Sequence, residues 1–168
     1  MNWEATAAIA ELIGGVAVIV SLLYLANQVK HGTIIARAES QREASHSYEV
    51  CGTLLNPINR SIYTRALAGF VDLSKDEQLH FHMLMHPFVN QTQAVVQDYQ
   101  SDLISDDLYE RWRGALLSML ATTGGRQWWN VSRIMFSENF VEMIDRALDS
   151  EEVVPISEAI PYFLPDGS

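Results

Sequence analysis

The stretch "LIGGVAVIVSLLYLANQV", residues 12–29, contains no charged residue, while Glu4 and Glu11 precede it and Lys30 follows at once. A membrane span, a cleaved export signal and the core helix of a soluble bundle are three ways to use such a run. As a helix it is about 27 Å long at about 1.5 Å per residue, close to the hydrocarbon thickness of a bilayer. A cleaved signal needs a basic start, whereas "MNWEATAAIAE" has no Lys or Arg, and no small-x-small site closes the apolar run. A soluble core helix normally carries a polar stripe, and residues 12–26 offer only Ser21 for one. The expectation is therefore an uncleaved transmembrane anchor over residues 1–29. Gly14, Gly15, Ala17 and Ser21 are small enough to let a second membrane helix approach closely, and Tyr24, Asn27 and Gln28 suit the interfacial end.

Charge orients the anchor. Lys30, Arg37 and Arg42 follow the segment and no basic residue precedes it, so the positive-inside rule predicts an external amino terminus and a cytoplasmic remainder in a bacterial inner membrane. All 11 Lys and Arg of the 168 residues lie from Lys30 onward, beside 19 of the 21 acidic residues, so this part alone carries a net charge of −8. Such a surface repels phosphate backbones and argues against nucleic acid as a partner. Cys51 is the single cysteine, which rules out an intrachain disulfide and a C-x-x-C metal site; a small buried apolar residue is its simplest role.

The helical pattern continues past Lys30. Ile34, Ile35, Ala38, Ser45, Tyr48, Gly52 and Leu55 recur on one side, as in a stalk that ends at Asn56-Pro57. A short helix from residue 57 to about 67 follows, with Pro57 in its first turn. Ser74-x-x-Glu77 is a capping box opening a long helix toward Tyr99, and Pro87 inside it predicts a kink or a break near His86. Ser105 starts a helix with the buried stripe Leu108, Trp112, Ala115, Leu116 and Met119, which the glycines of "TTGG" are expected to end. "RQWWNVSRIMF" reads as a helix on which Trp128 and Trp129 cannot share a face, so one belongs in the core and the other faces a partner or the membrane surface. Ser137 caps a last helix through Phe140, Ile144 and Leu148. Strand alternation is absent. The predicted fold class is all-α: the anchor, a helical bundle domain over residues 30–149, and an extended arm over residues 150–168 marked by Pro155, Pro161 and Pro165. Tyr162, Phe163 and Leu164 are the apolar residues with which that arm would dock, on its own domain or on a partner.

The richest stretch for chemistry is "EQLHFHMLMH". Glu77 and His80 form an E-x-x-H unit, His82 and His86 lie one helical turn apart, and Glu43 with His46 makes a second E-x-x-H. Di-iron bundles use two such units plus two further inward glutamates. Here Glu39, Glu43 and His46 fall on the polar side of the stalk, and Glu110 is the one mid-domain glutamate available. The pair His82 and His86 matches the i, i+4 spacing of zinc metalloproteases but lacks their adjacent glutamate and third ligand, so hydrogen-bonded core histidines that respond to pH are the simpler use. A metal held by Glu77, His80, His82 and His86 is the alternative expectation, and no other cofactor is indicated. The acidic run Asp98, Asp102, Asp106, Asp107 and Glu110 lacks the calcium-loop pattern, and "GGRQWW" lacks phosphate-loop spacing. No G-x-S-x-G, kinase, Walker or dinucleotide motif occurs.

The "MNWEA" start, the apolar "GGVAVIVSLLYLANQV" segment, the "GGRQWW" turn and the "FSENFVEMID" helix together resemble an uncharacterised family of short bacterial single-pass membrane proteins. The resemblance runs to about residue 148 and omits the proline-containing tail. It implies an anchored helical architecture and brings no activity and no site residues. The sequence is thus read as a membrane-anchored, non-catalytic interaction protein, an accessory or assembly subunit of a larger inner-membrane complex, energy-transducing ones included. The alternative is a membrane-tethered metal-binding or redox bundle using the His/Glu cluster.

Overall fold

Ser74 shows how short-range signals set the helices. Its hydroxyl accepts from the Glu77 backbone N–H at 3.4 Å, and the Glu77 carboxylate accepts from the Ser74 backbone N–H at 3.0 Å, which satisfies two of the donors that a helix start leaves open. The computed structural model describes residues 3–53, 57–150 and 152–160, with the side chains of residues 4–10 and 49–58 left aside. Among the described residues all regular structure is helical. The helices are α1 (Trp3–Thr53), α2 (Pro57–Ala68), α3 (Lys75–Gln100), α4 (Asp106–Leu120), α5 (Thr123–Ser132), α6 (Glu138–Ser150) and the single turn α7 (Ile156–Ala159). Short 3-10 turns lie at Phe70–Asp72 and Arg133–Met135. The chain divides into two compact units, Met1–Glu39 and Ser40–Ser168.

The core of the second unit is built around α3. Phe81, Met85, Phe88, Val89, Thr92, Val95 and Val96 are buried, following the alternation of three and four that puts side chains on one helix face. The helix runs unbroken through Pro87. Pro87 and Met83, whose carbonyl loses its usual donor at the proline, are both exposed, so water is at hand for the freed group. On α4 the buried stripe is Leu108, Trp112, Leu116, Leu117 and Leu120, with Ala115 and Met119 at its edge. The stalk stripe differs from the expected one: within the second unit Ala44 is buried and Ser40 and Ser47 are half-buried, whereas Ser45 is exposed. Small side chains occupy the packed face there, and Tyr48 lies edge-on to Trp112 with ring centroids 5.2 Å apart. In the first unit Ile34 and Ile35 are exposed. Cys51 and Gly52 lie in the last turn of α1 with their side chains left aside, and Leu55 lies outside the described residues.

Three further expectations are corrected. The glycines of "TTGG" open α5 and do not close α4: Thr122 is the N-cap, its hydroxyl accepting from the Gly125 N–H at 3.0 Å. A Cβ on Gly124 would sit 1.6 Å from the Ala66 carbonyl oxygen, and one on Gly125 would sit 2.1 Å from that of Met119. Glycine is needed because α5 starts against the backbone of α2 at Gly124 and against the end of α4 at Gly125, with no left-handed conformation involved. Second, Trp128 and Trp129 are both buried, since α5 is covered on two sides: Trp128 packs toward Phe81 and His82 on α3, and Trp129 toward Phe136 and Phe140. Third, the start of the arm, expected to be extended, includes the helical turn α7 over Ile156–Ala159, and it docks on the core. Ile156 is buried, Val153 and Ile160 pack on the core, and Ser118 donates to the Val154 carbonyl at 2.9 Å. Tyr162, Phe163 and Leu164 lie outside the described residues.

Candidate functional site

Two features stand out from the structural core, the uncovered apolar helix and the histidine face of α3. The apolar part of α1 falls within the stretch Glu11–Tyr48, whose best 18-residue window has a mean hydropathy of 1.9 and is 0% buried. It is long and apolar enough to cross a membrane. Leu12, Leu22 and Leu23 are at least 60% exposed, and nothing lies within 4 Å of a Cβ added to Gly14 or Gly15. Three of its polar side chains bond within the helix: Ser21 donates to the Ala17 carbonyl at 2.8 Å, Thr33 to that of Val29 at 3.0 Å, and Gln28 to the Tyr24 hydroxyl at 2.8 Å. Such back-bonding hides hydroxyl hydrogens from an apolar medium. Gly14, Gly15, Ala17 and Ser21, the small residues singled out in the sequence, all lie on this uncovered helix.

The four residues suggested as metal ligands have separate engagements. Glu77 is held by Arg65 of α2 and by Ser74; the Arg65 hydrogen bond first, then those from Ser74, lower its carboxyl to about 2. His80 lies on another side of α3, its Nε2 2.6 Å from Asn59 Oδ1, which fits an imidazole N–H donating to the amide oxygen. His82 and His86 do come together, with ring centroids 5.4 Å apart. The His82 Nδ1 accepts from the Trp128 indole N–H at 3.3 Å, and His86 stacks on Phe136 at 5.4 Å. Burial, and then the neighbouring His86, lower the His82 pKa below the ordinary histidine value. Among the described residues no group of three or more His, Cys, Asp or Glu side chains is placed to hold a metal ion. Glu43 and His46 are exposed on α1.

Several partners of these residues escape sequence reasoning. Trp128 follows His82 by 46 positions and Asn59 precedes His80 by 21, and no local pattern announces either pairing. The acidic run is structural at its centre: Asp102 adopts φ 58°, the Leu103 N–H donates to the Asp98 carbonyl at 2.9 Å, and the Asp102 N–H donates to that of Tyr99 at 3.0 Å. This is a Schellman ending for α3, with an aspartate in the position that glycine usually takes. Asp106 and Asp107 occupy the first turn of α4, where negative charge complements the helix dipole. An open groove of about 430 Å³ lies between α4 and α6, lined by Tyr109, Glu110 and Arg113 on one wall and Met143, Arg146 and Ala147 on the other. Comparison with known proteins finds no family model, no curated protein and no solved structure that matches the chain.

Proposed function

We propose that the chain is a single-pass membrane protein whose helical domain serves as an interaction module, an accessory or assembly subunit of a larger bacterial inner-membrane complex. The observation that carries this reading is the complete lack of cover over the apolar part of α1. Each buried Leu or Val side chain is worth about 1.5–3 kcal/mol relative to water, so a run of such residues without protein around it calls for another apolar medium. Lipid supplies that medium, and the small residues Gly14, Gly15, Ala17 and Ser21 leave room for a helix of another subunit. The distribution of Lys30, Arg37 and Arg42 supports an external amino terminus and a cytoplasmic domain.

Gentle detergent extraction from native membranes, followed by sizing and mass spectrometry of what co-migrates, tests the assembly role. The expected result is a species well above monomer size containing other membrane subunits. A monodisperse species of 18.9 kDa plus detergent, with nothing co-purifying, would contradict it.

A further inference from the structure

Helix α5 and the turn after it are held to their neighbours by a few polar contacts. The Trp129 indole N–H and the Arg133 guanidinium both donate to the Asp145 carboxylate of α6 at 2.7 Å. The Ser137 backbone N–H and hydroxyl donate to Gln93 Oε1 of α3 at 2.9 and 3.0 Å. Arg126 donates to the Leu148 carbonyl at 2.7 Å and to Asp149 at 3.4 Å, Gln127 Oε1 accepts from the Val71 N–H at 3.2 Å, and the Trp128 indole N–H donates to His82 Nδ1. Of these, only the last ends on a side-chain type whose ordinary titration lies between about pH 5 and 8.

That contact depends on the proton. Trp128 is 0% exposed, so its indole N–H has no water to turn to if the acceptor is lost. Neutral imidazole offers one lone pair, which Nδ1 uses here; imidazolium carries hydrogen on both nitrogens and accepts nothing. Protonated His82 would therefore point a donor at a donor. Its surroundings do not offset this. Helix α5 presents Trp128, and the segment after the 3-10 turn presents Phe136 against His86; neither is ionisable. On α3 itself the charged influence is His86. From α2, Arg65 is engaged by Glu77, and Asn59, which is neutral, by His80.

We propose that His82 is a proton-operated catch between α3 and α5: when neutral it accepts the Trp128 indole hydrogen, and when protonated it releases the corner that carries the exposed apolar residues Val131, Ile134 and Met135. The sign follows from linkage. A histidine whose folded-state pKa is depressed contributes stability that is complete above the unfolded value of about 6.5 and is lost as pH falls through the folded value. His86 strengthens the effect, because a second positive ring cannot be placed beside the first without repulsion.

The test is the indole N–H resonance of Trp128 in the ¹⁵N-labelled full-length chain, held in detergent micelles or nanodiscs and titrated from pH 8 to 5. The expected result is a shift with a midpoint below about 6.5, tracking the His82 ring resonances. His82→Gln keeps an acceptor that does not titrate and should leave the Trp128 resonance flat across the range. His86→Gln keeps the catch and should move the midpoint upward, which tests the idea even if the first variant fails to fold. A Trp128 resonance that ignores pH in the unmodified chain, the same titration in His82→Gln, or an unmoved midpoint in His86→Gln would each overturn it.

Discussion

Residues 12–29 of α1 and the helix α3 are both long, uninterrupted and rich in large apolar side chains, yet their surroundings differ completely. On α3, Phe81, Met85, Val89 and Val95 are at most 1% exposed, while on α1, Leu12, Val18, Leu22 and Leu23 are between 59 and 71% exposed. Helix α3 alternates its apolar residues with Gln, Asn, Asp and His, so it has one face for the protein and one for water. The α1 segment has no polar face to offer. What separates a core helix from a candidate span is therefore the absence of a second face more than the amount of apolar surface, since α3 buries one face almost completely with a mixed composition.

Glycine substitutions give the sharpest contrast between the two helices. Gly124→Ala places a methyl group where the Ala66 carbonyl already sits, and thermal or denaturant unfolding should show a loss of about 3 kcal/mol, at the upper end of overpacking effects. Gly15→Ala meets nothing within 4 Å and should cost no stability, favouring the helix by up to about 1 kcal/mol through the higher helix propensity of alanine. Equal effects at both positions would remove the distinction.

Smaller effects probe the packed unit alone. Trp129→Phe keeps an aromatic group but removes the hydrogen bond to Asp145 and leaves a small cavity where the rest of the indole was, and equilibrium unfolding should register a loss of about 2–3 kcal/mol. Asp102→Gly relieves an aspartate held at positive φ and should stabilise by a few tenths to about 1 kcal/mol, read as a raised Tm. The smallest effect expected is at Glu77. Its folded-state pKa is depressed to about 2 by Arg65 and Ser74, so its contribution is full above the ordinary carboxyl range and fades as pH falls toward 2. Glu77→Gln should flatten the acid limb of the stability profile, and an unchanged acid limb would show that this exposed pair does nothing for stability.

Legibility in the sequence followed the range of the interaction. The Ser74-to-Glu77 box and the inward stripes of α4 and α6 rest on residues three or four positions apart, Pro57 marks the start of α2 by its own backbone, and the pattern shows them directly. The role of Gly124 is set by Ala66, three helices earlier in the chain, which no local spacing reveals. Trp128 and Trp129 point about 100° apart, as expected of neighbours on a helix; the sequence could not show that α5 is covered on both sides. Likewise the histidines invite a metal reading as a string of letters, while Arg65, Asn59, Trp128 and Phe136, brought in from elsewhere in the chain, give each a different engagement.

Whether lipid covers residues 12–29 is open to one experiment, an alkaline carbonate wash of membranes from cells that make the chain, with intact-mass analysis of both fractions. The chain should remain in the membrane pellet at 18.9 kDa, still carrying residues 12–29. Release into the supernatant, or recovery of a chain shortened through that segment, would contradict the membrane assignment.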